Sequence, residues 1–117
     1  MEDTDELGAP ALRAARAELS RSLDLQADRV RSLPLTRLER VRPGEDASPA
    51  DAVRAGAQAL ADLAADAEGE PRRALPRLAT HGLGDQLAVV GHDLAAAGDG
   101  AALAVAHEVL ARVRRAL

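Results

Sequence analysis

Few residues of this 117-residue chain could do chemistry, and their spacing restricts what they can be. His81, His92 and His107 stand close in sequence to Asp85, Asp93 and Glu108, which is the residue composition of a His/carboxylate metal site. The spacing does not follow a ligand pattern. His92-Asp93 and His107-Glu108 are adjacent pairs, which point in different directions on a helix, and neither H-x-x-x-H nor E-x-x-H occurs. The histidines are therefore read first as boundary residues beside a core. A metal-binding helical protein is the third of three functional readings, and no cofactor is expected.

Hydroxyls are equally sparse: Ser20, Ser22, Ser32, Ser48, Thr4, Thr36 and Thr80. No G-x-S-x-G turn holds any of them, and Ser48 in Ser48-Pro49-Ala50-Asp51 is best explained as a helix cap. Asp62 and Asp66 lie one turn apart, but no second acidic helix carries a Glu-x-x-His, so they read as a solvated face and not a di-iron site.

The arginines form the strongest pattern. Arg29, Arg31, Arg37, Arg40 and Arg42 face only Glu39 across residues 29–42, whereas residues 45–70 carry seven acids against Arg54. Guanidinium forks match phosphate oxygens, so residues 29–42 are a candidate phosphate-binding or acidic-partner strip. The chain is acidic overall, with a net charge of −4, whereas nucleic-acid readers are typically basic. A nucleic-acid-binding regulator is therefore the second reading, and pairing between the alternating charge blocks is preferred to it. Arg112, Arg114 and Arg115 complement the C-terminus of a last helix.

What must position these residues is helical. Leu12, Ala15, Leu19, Leu23, Ala27 and Val30 recur at spacings of 3 and 4, predicting a helix from about Pro10 to Ser32 that Pro34 stops. Leu35, Leu38 and Val41 predict a short amphipathic helix. A capped helix follows from Ser48 to Gly69, with Val53, Gly56, Leu60, Leu63 and Ala67 inward. Residues 71–80 suggest a second short helix containing Leu75 and Leu78. Asp85 and Asp99 are expected to cap two final helices, with Leu87, Gly91 and Leu94 on one stripe and Leu103, Ala106, Leu110, Val113 and Leu117 on the other. The two-residue break Gly98-Asp99 predicts that these two form an antiparallel hairpin. The expected fold is all-α: a compact four-helix bundle-like domain over residues 9–117 with two short connecting helices, preceded by a disordered acidic tail at 1–8.

Composition narrows function further. Phe, Trp, Tyr, Cys, Lys, Ile and Asn are all absent, while Ala supplies 28 residues. There is no thiol chemistry, no aromatic stacking platform, no Schiff-base lysine and no P-loop. Missing Lys, Asn, Ile, Phe and Tyr share AT-rich codons, which points to a high-GC bacterial genome. No apolar stretch approaches the roughly 20 residues of a membrane span, and the acidic N-terminus is unlike a signal peptide, so a cytoplasmic protein is expected.

An alanine-rich core offers little apolar area and little room for a small-molecule pocket. Gly56 and Gly91, mid-helix on apolar stripes, are expected where helix backbones approach closely. Leu25 and Leu35, with Val105 and Val109, suggest a second apolar face for a subunit contact. The first reading is accordingly a non-enzymatic protein–protein interaction or structural module, a homodimer or the partner of another protein. Within it, Asp85, Gln86, His92 and Asp93 are the preferred contact residues, because Gly84–Leu94 is the least compositionally generic stretch.

Overall fold

A computed structural model describes residues 8–117; the acidic tail, apart from Gly8, lies outside the described residues. The fold is all-α. Among the described residues there are five α-helices, α1 (Ala9–Ser32), α2 (Leu35–Glu39), α3 (Pro49–Glu68), α4 (Leu83–Ala97) and α5 (Gly100–Ala116), and one 3-10 turn at Thr80–Gly82.

Local chemistry sets the ends. Leu33 and Pro34 are extended, as the residue before a proline prefers, and α1 stops there. At the start of α3 the Ser48 hydroxyl accepts from Asp51 N, while the Asp51 carboxylate accepts from Ser48 N, both at 3.1 Å. This reciprocal cap satisfies two donors that helix geometry leaves unpaired. Gly69 closes α3 in the left-handed region (φ 67°). Asp99 caps α5 by accepting from Ala102 N at 2.9 Å. Asp85 does not cap α4: the 3-10 turn leads directly into the helix at Leu83, leaving Asp85 in its first turn.

The short helix expected within residues 71–80 does not form; Glu70–Ala79 is irregular. Pro71 and Pro76 remove two N–H donors and push the residues before them toward extended backbone. Side chains of the flanking helices take up backbone groups of this segment instead. Gln58 donates to Arg73 O and accepts from Leu75 N, Arg54 donates to Leu78 O, and Gln86 donates to Pro76 O.

Helices α1 and α3 each pack against both α4 and α5. Helix α1 runs antiparallel to α4, pairing Arg31 with Asp85 and Asp24 with His92. It runs parallel to α5, with Arg16 at Gly98 and Gln26 at Leu110. Helix α3 runs antiparallel to α5, with Gly56 against Val113 at one end and Leu63 beside Ala102 at the other. The Gly98-Asp99 break therefore reverses the chain, but α4 and α5 do not pack as a hairpin. Each buries its stripe mainly between α1 and α3, because the short connection sets direction without setting which neighbours a stripe meets.

Leu19, Leu23, Leu38, Leu60, Leu83, Leu87, Leu94 and Leu110 are the largest fully buried side chains, joined by Val30 and Val53. Two expectations fail at helix edges. Ala67 is exposed in the last turn of α3, and Val109 is buried in the core instead of offering a subunit contact. In the short α2 region only Leu38 is buried, while Leu35 and Val41 are exposed.

Both glycines sit where a side chain would collide, though with side chains and not with backbone. A Cβ on Gly56 would lie 2.5 Å from Val113 Cγ2, and one on Gly91 would overlap Leu23 Cδ2. The backbone approach occurs at Gly84, whose Cβ would fall 2.9 Å from Ala27 O.

Candidate functional site

The preferred contact stretch on α4 is largely engaged within the fold. Asp85 Oδ1 accepts from Arg31 Nε at 2.7 Å, and Arg31 Nη1 also reaches Asp28 Oδ1 at 2.7 Å. The hydrogen bond that Arg31 donates to Asp85 chiefly, and the one it donates to Asp28 after it, raise the Arg31 pKa and hold the guanidinium charged. His92 Nε2 lies 2.8 Å from Asp24 Oδ1. Gln86 reaches Pro76 O at 3.1 Å. Asp85 and His92 thus link α4 to α1, Gln86 links it to the irregular segment, and Asp93 faces outward beside Ala64, Arg73 and Leu75.

The three histidines lie on separate elements. His81 is exposed in the 3-10 turn, His92 sits on α4 and half-buried His107 on α5. No group of three or more His, Cys, Asp or Glu is placed to hold a metal ion among the described residues. The two buried hydroxyls have structural partners: Ser48 caps α3, and Thr80 donates to Glu39 Oε2 at 2.7 Å, tying the 3-10 turn to α2.

The arginine block divides. Arg31 belongs to the α1–α4 seam and Arg29 projects from the last turn of α1. Arg37, Arg40 and Arg42 come together around a surface cleft of about 400 Å³ with Pro34, Thr36 and Pro49. Arg37 Nη2 donates to Leu117 O at 3.1 Å, and Arg42 Nη2 donates to Ala116 O at 2.7 Å. The last carbonyls of a helix lack intrahelical partners, so these arginines satisfy the end of α5. Sequence spacing does not show this convergence, because it requires α5 to end beside the segment after α1.

Among the described residues the charge blocks that alternate along the chain meet locally, where Arg72 follows the end of α3. Arg72 Nη2 reaches Asp66 Oδ2 at 2.7 Å, and Arg72 Nη1 reaches Asp62 Oδ2 at 4.0 Å. The Arg72 hydrogen bond holds the Asp66 carboxyl below the usual carboxylate range.

The interface of α3 and α5 opens outward as a shallow groove of about 230 Å³ lined by Ala52, Ala55, Gly56, Ala59, Val109 and Arg112, with Val113 at its floor. A second depression of about 300 Å³ continues along the same two helices past Leu63, Asp66, Asp99 and Ala102. Val105 is exposed on α5, while Leu25 and Val89 stand exposed on α1 and α4.

One buried polar residue escaped the sequence reading. Gln26 lies in the core and donates to Leu110 O at 2.8 Å, joining α1 to α5. Its position between Leu23 and Val30 on the apolar stripe was the available signal. No helix of the described residues is long and apolar enough to cross a membrane. Comparison with protein-family models, with curated proteins and with solved structures finds no match.

Proposed function

We propose that the chain is a non-catalytic helical module that works by protein–protein contact, first of all with a second copy of itself. The observation that carries this reading is the α3–α5 groove, where Ala52, Ala55 and Ala59 of α3 form a shallow apolar strip above the buried Val109 and Val113. The alanines of the α3 wall permit another helix to approach closely, with Arg112 on the α5 rim. A core built from Leu, Val and Ala without any aromatic is thin, and burial of a further face would add to its stability.

Its acidic and basic rims also favour a twofold partner. Asp99 lies toward one end of the seam and Arg112 toward the other, so a twofold arrangement sets opposite charges against each other, while Asp66 is already paired with Arg72.

Sedimentation of the pure protein across a concentration series tests this. The wild type is expected to dissociate on dilution, and Ala55→Glu, which places a charge on the groove wall, is expected to be monomeric with unchanged helicity. A wild type that stays monomeric at every concentration defeats the dimer.

The alternative is recognition of a nucleic acid through the arginine block. Convergence of Arg37, Arg40 and Arg42 favours an anion there, but Arg31 is committed to Asp28 and Asp85 elsewhere. What remains is a local positive spot, not a track that follows successive phosphates.

A further inference from the structure

We propose that the cleft bounded by Arg37, Arg40 and Arg42 binds a small phosphorylated molecule, gripping it by its phosphate or diphosphate group. The site is complete within one chain. Its volume, about 400 Å³, falls within the roughly 300–1,000 Å³ of small-molecule sites.

Two of the three guanidiniums are held in position before any ligand arrives. Arg37 and Arg42 each spend one nitrogen, Nη2, on the main-chain oxygens of Leu117 and Ala116. A guanidinium has five N–H donors, so each retains donors for a second acceptor. Fixing a long side chain in advance lowers the entropy lost on binding. Among the described residues Arg40 makes no side-chain hydrogen bond and lines the same cleft.

Among the described residues no Asp or Glu side chain lines the cleft. The single acid in the block, Glu39, is turned to the Thr80 hydroxyl. Even with a carboxylate at Leu117 set against Arg37, two guanidinium charges remain. Such a charge suits a phosphate dianion or a diphosphate better than a monocarboxylate, and guanidinium forks match phosphate oxygens geometrically. Thr36 supplies a hydroxyl, and the rigid rings of Pro34 and Pro49 form apolar walls for the remainder of the ligand.

Titration calorimetry of the full chain with pyrophosphate, and separately with glycerol phosphate, is the test. One saturable site per chain is expected, weakened by salt. Arg40→Ala should weaken binding by about tenfold or more, as loss of one charge-assisted contact predicts, without lowering the melting temperature. Arg29→Ala, outside the cleft, should bind as the wild type does. The proposal is overturned by absence of saturable binding, by an Arg40→Ala variant that binds normally, or by equal losses in the two variants. Duplex or single-stranded DNA that binds more tightly than pyrophosphate, with Arg29 contributing, would transfer the site to nucleic acid. Dimerisation has its own readout in sedimentation, so failure of one proposal leaves the other standing.

Discussion

At the scale of single residues, glycine matters more here than any catalytic type. In a helix it costs about 1 kcal/mol relative to alanine, a cost that is recovered only if the missing methyl lets something else in. At Gly91 that is the Leu23 side chain, and at Gly84 it is the carbonyl of Ala27. Gly84→Ala and Gly91→Ala should therefore lower stability by about 1–3 kcal/mol, overpacking outweighing the gain in helix propensity. Urea unfolding measures this, and unchanged or raised midpoints would show that the helices separate without cost.

Asp51 offers a pH test at the same scale. Its carboxyl is held below the usual range, first by the Ser48 backbone N–H, then by the Ser48 side chain and by Arg54 and Arg77. A depressed folded-state pKa means that the native state binds fewer protons than the unfolded chain. Its stabilisation is present above about pH 4 and is lost as pH falls through the folded value. Asp51→Asn should flatten the dependence of the urea midpoint on pH below about 4. An unaltered acid limb would mean that the cap does not couple to protonation.

At the scale of elements, the helices were largely readable and their connections were not. The 3–4 apolar spacing of α1 and α5, the Ser48 cap, the Asp99 cap and the Gly69 stop each have a local physical cause, so they are found close to where the residues place them. Glu70–Ala79 is different, because its apolar Leu75 and Leu78 imitate a helical spacing while Pro71 and Pro76 oppose it. The contest is resolved by Gln58, a residue of α3 whose amide bonds to Arg73 and Leu75. Gln58→Ala should speed hydrogen exchange at the Leu75 amide and cost about 1 kcal/mol in global stability. Exchange at Leu75 as slow as in the wild type would show that proline rigidity alone holds the segment.

At the scale of the whole molecule, the packing of α3 against α5 brings the two candidate surfaces close together. The cleft reaches Pro49 and Leu117, and the groove starts about one turn away at Ala52 and Val113. The groove follows α3 and α5, while the arginine cleft lies where the segment after α1 meets the end of α5. Arg40 lines the cleft and not the groove, so a contact through the groove does not require it. Sedimentation should therefore give the same dissociation for Arg40→Ala as for the wild type, and a weakened dimer would place the arginine cleft within the subunit contact.

Composition and local spacing were sufficient to establish an all-α chain, its four long helices, most of its core and two of the glycines at tight contacts, Gly56 and Gly91, though not Gly84, where a helix backbone comes closest. These follow from short-range causes: helix period, proline geometry, side-chain caps and the small volume of glycine. Which helices become neighbours depends on contacts between residues far apart in the chain, and spacing carries no record of them. That is why α4 and α5 do not pack as a hairpin, why Val109 is core, and why five arginines consecutive in pattern separate into a seam residue, an exposed residue and a three-sided cleft. Charges adjacent in sequence share an environment only where the packed helices bring them to one place.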